Sequence, residues 1–184
     1  MSQSLKTIIT ELWHKIDDPR KGLPEDLFLF VSAITPMINV DLLIKDNEGR
    51  TLLVWREDKY GSGWHIPGGI IRFKETIEER IQQVARQELG ATVKFEDTPI
   101  AIRQLIMPDR NERGHFISLL YYCQLQSPLD RAREYISGKP SNGQWKWHEI
   151  CPEDILRVHE MYRNFIEGKS DCDESVTNET PFKS

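Results

Sequence analysis

Several things are scarce in this 184-residue chain, and each scarcity excludes something. Its cysteines, Cys123, Cys151 and Cys172, show no paired spacing and no C-x-x-C, so they read as thiols in a reducing compartment. No run approaches the roughly 20 apolar residues of a membrane span. The N-terminus, MSQSLKTIITELWHKIDD, lacks the continuous apolar core of a signal peptide. Positive charge is also short: a net charge of -5 and a pI near 5.6 argue against a duplex-binding surface, while leaving room for a local basic pocket. There is no internal repeat. What remains is one domain, long enough for a real core, for which a cytoplasmic location is expected.

The most informative stretch is Pro67 to Ala91, PGGIIRFKETIEERIQQVARQELGA. A proline and two glycines make a turn in which the backbone can approach a ligand closely. Thr76 and Glu79 have the spacing of a helix capping box. Ile77, Ile81, Val84, Ala85 and Leu89 recur as the apolar stripe of an amphipathic helix, and Gly90 sits where a C-cap glycine belongs. At about 100° per residue, Glu88 lies roughly 40° round the helix from Val84. A carboxylate ending this helix beside a glycine turn can hold a divalent cation, since Mg²⁺ prefers carboxylate and carbonyl oxygens.

Upstream, apolar spacing from Leu5 to Ile16 predicts a helix, either an accessory helix packed on the domain or the arm of a homodimer. Pro24 can open a second helix through Val31. Strands are expected over Met37–Ile44, Thr51–Trp55, Trp64–Ile66, Thr92–Phe95, Ile100–Ile106, Phe116–Leu125 and Gln144–Ile150. A closing helix is expected over Pro152–Ile166. The polar residues 169–184 read as a disordered tail, 1–22 as the accessory helix and 23–168 as the domain. Asp41 inside an apolar strand needs a partner if buried; it reads as a water-facing edge residue or as a contact for a ligand hydroxyl or an arginine. Arg56 can pair with it or with a phosphate. His115, at the mouth of a strand, reads equally as a general base, a site-lining hydrogen-bonder or a core residue. His65 reads as structural.

The Pro67–Ala91 stretch resembles the Nudix box, G-x5-E-x7-R-E-U-x-E-E-x-G-U with U apolar. Gly69, Glu75, Glu88 and Gly90 match in register, while Gln83, Val84 and Gln87 stand where the family has Arg, Glu and Glu. The fold implied is α/β (α+β), a mixed β-sheet sandwiched between α-helices, with the Val84 face of the box helix on the sheet and Glu88 at its rim. Within the superfamily the chain looks most like GDP-mannose mannosyl hydrolases, through its lead-in helix and Thr35-Pro36, Glu88-Leu89-Gly90, His115-Phe116, Val158-His159 and Arg163. That resemblance implies one Mg²⁺ (or Mn²⁺) on Glu88 and the Gly68 carbonyl, with Gly69 in the substrate-binding turn. It implies Asp41 and Arg56 on the sugar and diphosphate of a small-molecule nucleotide substrate. The chain departs from it in Pro140–Gln144, which has no histidine to serve as base, and in Ile70, where an arginine follows the glycines. His115, His148 and Glu75 are the candidates for the missing base.

Three readings follow. The first is a one-metal hydrolase of a nucleoside diphosphate sugar such as GDP-mannose, cleaving C–O. The second is a pyrophosphohydrolase cleaving P–O, with Glu75 or Glu112 as a further ligand. The third is a nucleotide-binding module without turnover. Val84→Glu is expected to place a second carboxylate near the metal and to be stabilised by it.

Overall fold

The structure, a computed structural model, describes residues 3–169, so the expected tail lies outside the described residues except for Lys169. Its central strand, β1 (Met37–Ile44), is apolar on both faces except for Asn39 and Asp41. It pairs in parallel along its whole length with β7 (His115–Leu125), from Met37↔Phe116 to Ile44↔Cys123. A strand covered on both faces reads as a continuous apolar run, which is why β1 is so plain in the sequence. On its other side β1 pairs antiparallel with β4 (Gly68–Ile70), the edge strand. The far side of β7 is shared by β6 (Ala101–Ile106) and β5 (Val93–Phe95). A second, antiparallel sheet runs β3 (Gly61–His65), β2 (Thr51–Asp58), β8 (Trp145–His148).

The sheets lie between two layers. On one side the box helix, α3 (Ile77–Val84), packs Ile81 and Val84, and the turn after it Leu89, on Val40, Leu42, Leu52 and Val54. On the other side Tyr162 and Ile166 close over Leu43, Leu53, Trp55 and Leu120. They belong to a 3-10 turn (Arg157–Tyr162) and a short helix, α4 (Arg163–Glu167). The carbonyl of Ile166 accepts from the buried Thr51 hydroxyl (2.9 Å) and from Lys45 Nζ (2.8 Å), which ties down an otherwise unpaired helix end.

The expected closing helix over Pro152–Ile166 therefore begins only at Arg157, and it runs as a 3-10 helix to Tyr162 before turning α-helical from Arg163. The residues before Arg157 instead join the free edge of β3, with Trp64 N–H donating to Asp154 O (2.9 Å) and Leu156 N–H to Trp64 O (2.8 Å). Strand pairing satisfied those backbone groups, and local apolar spacing was no guide to it. The two lead-in helices are α1 (Leu5–Trp13), shorter than its apolar pattern, and α2 (Glu25–Ile34). No residue of α1 is buried; Leu5 is 72% and Trp13 61% exposed.

The box helix starts on the expected capping box, with Glu79 N–H to Thr76 Oγ1 at 3.1 Å and Thr76 N–H to Glu79 Oε2 at 2.8 Å. It does not end as a plain α-helix. Ala85–Leu89 is a π turn, closed by Gly90 in the left-handed region (φ 65°) and by Ala91 N–H reaching back to Ala85 O (3.2 Å). Such wide turns re-aim a side chain, here Glu88, which is partly exposed while Val84, at 3% exposure, faces the core.

Candidate active site

An open cavity of about 220 Å³ lies between the β1 end of the mixed sheet, the PGG turn and the C-terminal 3-10 turn. Its lining includes Asp41, Arg56, Gly68 and Gly69, four of the residues picked out from the sequence. Gly68 is required there: a Cβ would run into the Asp41 carboxylate and sit 2.9 Å from Val40 O. Gly69 is required by the helix, because a Cβ would lie 2.9 Å from Val84 Cγ2. The turn thus has to be glycine twice, once for the cavity side and once for the core side.

Asp41 is 2% exposed and accepts a hydrogen bond from the Tyr162 hydroxyl at 2.7 Å. Burial raises its carboxyl from the usual range to about 6, against the opposing help of Tyr162 and Asn39. Beside it Ser118 Oγ donates to Asn39 Oδ1 at 2.8 Å, so the floor is a polar patch of Asn39, Asp41 and Ser118. The signal for it was in the sequence: Asn39 and Asp41 are two apart on one strand and therefore share a face.

Glu88 stands just beyond this lining. Its Oε2 is 3.2 Å from His65 Nε2, and its Oε1 accepts from Gly68 N–H at 3.3 Å. Leu42 N–H donates to Pro67 O and Ile71 N–H to Ile38 O, so Gly68 occupies a position whose N–H and C=O both point away from β1. Glu88 and the Gly68 carbonyl can therefore serve one hard cation from the open edge of the sheet. Among the described residues no three His, Cys, Asp or Glu side chains are grouped to hold a metal ion. The donor set fits a single ion that takes its remaining oxygens from water and substrate phosphate, the habit of Mg²⁺.

The other expected residues lie elsewhere. Glu75 is bound by Arg80 Nε and an Arg80 terminal amine at 2.8 and 2.7 Å and by Arg72 N–H at 2.8 Å, in a largely buried ion pair. Gln83 stands at the family's arginine position; the arginine that meets Glu75 is Arg80. Neither Glu75 nor His115 is among the cavity-lining residues; His115 Nε2 is 3.0 Å from Gln104 Nε2. His148 packs against Trp64, with its pKa lowered by burial to about 4. The imidazoles that line the cavity are His65 and His159, their rings 5.5 Å apart. Burial holds His159 well below its usual pKa, and its Nδ1 has no hydrogen-bond partner among the described residues.

Four arginines complete the lining: Arg56, Arg110, Arg113 and Arg157. Arg56 Nε is 3.3 Å from Asp58 Oδ2.

Comparison with known proteins agrees with this architecture. The model of the NUDIX domain matches residues 35–165. The Low-salt glycan biosynthesis protein Agl8 of Haloferax volcanii is 36% identical over 84 residues, 45% of this chain and 53% of that one. An ADP-ribose pyrophosphatase of Methanocaldococcus jannaschii is 32% identical over 98 residues, 52% of this chain and 55% of that one. The chain spans about half the length of these curated relatives. A crystal structure from Jonesia denitrificans, titled as a possible asymmetric diadenosine tetraphosphate hydrolase, superposes with a TM-score of 0.57 at 16% identity. That alignment covers 74% of this chain and 97% of the other, and at such identity it speaks for the fold. With the family model spanning most of its length, from the strand lead-in to the last helix, the chain belongs to the Nudix family.

Proposed function

We propose that the protein is a hydrolase of nucleoside diphosphate sugars that cleaves the sugar C–O bond with the help of one divalent ion. The observation that carries this reading is the reduced box: Val84 is in the core and Gln87 is no carboxylate, which leaves Glu88 beside the cavity. Attack on phosphorus draws on several charges around the phosphoryl oxygens, whereas C–O cleavage needs mainly a stabilised leaving group. Glu88 and the Gly68 carbonyl would hold Mg²⁺ or Mn²⁺, which would supply positive charge beside the departing nucleoside diphosphate. Asp41 and its neighbours Asn39 and Ser118 take the sugar hydroxyls, and Arg56 takes a phosphate.

His159 orients the attacking water. Burial keeps it neutral, and its Nδ1, buried and without a partner among the described residues, takes the water's proton once the substrate has brought water to it, as the oxygen bonds to the sugar carbon. The pair of electrons in the broken C–O bond leaves with the diphosphate oxygen. The similarity to an archaeal ADP-ribose pyrophosphatase favours a second reading, P–O cleavage of the same substrates.

Incubating the protein with a nucleotide-sugar panel and Mg²⁺ or Mn²⁺, read by mass spectrometry, separates the two. Free sugar and nucleoside diphosphate are expected. Sugar phosphate with nucleoside monophosphate would establish the second reading instead. Glu88→Gln is expected to abolish Mg²⁺ binding by calorimetry and leave the melting temperature within a few degrees, since it exchanges a partly exposed carboxylate for its amide.

A further inference from the structure

We infer that the mouth of the cavity is an arginine-built site that binds a nucleoside diphosphate without a divalent ion. The inference rests on the nucleotide reading above but not on its chemistry.

Arg110 and Arg113 hang from the turn between β6 and β7, and Arg157 comes from the C-terminal 3-10 turn. None of the three forms an ion pair with a carboxylate among the described residues, in a chain whose net charge is -5. A diffuse basic surface is therefore not the explanation; the cations are gathered here.

Two of them are also held in place. The Arg110 and Arg113 guanidinium carbons lie 5.1 and 4.7 Å from the Tyr60 ring centroid, and Arg113 lies 5.7 Å from that of Phe28. A ring contact restrains a guanidinium, and neither of these side chains spends an N–H on a hydrogen bond among the described residues. The forks are thus ordered in advance while their hydrogen-bonding capacity is open, as recognition of two adjacent phosphates requires.

The turn is shaped to deliver them. Arg113 sits in the left-handed region (φ 52°), unusual for a residue with a side chain. Its N–H donates to Ser32 Oγ at 3.1 Å, and Ser32 is 4% exposed. Met107 N–H to Gly114 O (2.7 Å) and Arg110 N–H to Met107 O (3.0 Å) close the loop. Backbone held in a disfavoured state by its surroundings marks a place where the position of a side chain matters. The box has lost carboxylates for metal, and the mouth carries fixed cations that need none.

The test is calorimetric titration of the full chain with ADP, GDP and UDP, once in EDTA and once in Mg²⁺. At least one nucleotide is expected to bind in EDTA within about threefold of its affinity in Mg²⁺, and more weakly as salt is raised. The double variant Arg110→Gln/Arg113→Gln is expected to weaken binding in EDTA on the order of tenfold for each guanidinium removed. Should that variant not fold, Arg157→Gln, exposed and without a ring contact, is expected to weaken it about tenfold alone. Binding that appears only with Mg²⁺ would overturn the inference, as would unchanged affinity in a folded variant or no binding under either condition. Failure to hydrolyse any nucleotide sugar, with binding in EDTA intact, would overturn the proposed activity and leave this site standing.

Discussion

At the Glu88 end of the cavity, geometry is tightly specified and charge is sparse. Gly69 meets Val84, Gly90 takes a left-handed turn, and Glu75 is locked to Arg80. One carboxylate then emerges on a π turn. At the mouth the balance is reversed: guanidiniums from separate strands and turns converge, placed by ring contacts and a strained loop. Some positions of the box therefore have structural work of their own, apart from any ligand charge. The residues that match the family pattern in register include three with a packing, turn or ion-pair reason, whereas Val84 and Gln87 show that ligand charges can go while the frame stays. Glu75 illustrates the point, because its arginine is supplied by Arg80, one helical turn before the position the pattern names.

Frame and charge separate most sharply at Val84. Val84→Glu puts a carboxylate into the cluster of Ile81, Val40 and Leu42, where it finds no partner. The expected loss is about 4 kcal/mol or more in urea unfolding. The sequence suggested recovery by metal; with Val84 at 3% exposure the loss is expected to be the same with and without Mg²⁺. Recovery by metal would show that position 84 reaches the ion, and that the frame and the charge are not separable here.

Asp41, on the floor between the two ends, tests the electrostatics. Burial raises its folded pKa to about 6 from 3.8, so the protonated form is favoured in the folded state. That contribution is complete below the unfolded pKa and is lost as pH rises through the folded one. Relative to Asp41→Asn, the parent is expected to lose about 3 kcal/mol of stability between pH 3 and pH 7. Chemical unfolding of both proteins across that range measures it. A parent that gains on the variant instead would mean that the hydrogen bond from Tyr162 outweighs burial, and that the floor is tuned to stay ionised.

What the sequence made legible was governed by local rules. β1, β5, β6 and β7 follow alternation or continuous apolar runs, and the capping box and Gly90 bound the box helix as read. The cavity lining was legible where one segment held the answer, as in Asp41, Gly68 and Gly69. It was opaque where segments far apart meet. Tyr162 reaches Asp41 across 121 positions, and the spacing of Trp64-His65-Ile66, which reads as structural, cannot show that Glu88 stands beside His65. The start of the closing helix is hidden for the same reason: the edge of β3, a tertiary partner, claims the residues before Arg157.

The smallest expected effect belongs to His115, and it sharpens the contrast between histidines chosen by sequence and those placed by the fold. His115 starts β7 opposite Ile106, half-buried, and its ring nitrogen meets the exposed Gln104 rather than the cavity. His115→Gln retains a hydrogen-bonding side chain and removes little packing, so stability should shift by no more than about 0.5 kcal/mol. Turnover of whichever nucleotide sugar proves to be a substrate should stay within about twofold, because nothing near the reacting atoms is altered. His159→Gln, at the cavity wall, removes the proposed proton acceptor, and a loss of roughly 100-fold in kcat is expected with KM nearly unchanged. Both variants, measured side by side with a thermal melt to verify folding, decide the matter. A large loss from His115→Gln and a small one from His159→Gln would move the base to the strand mouth and require the β6–β7 hairpin to swing over the cavity during the reaction.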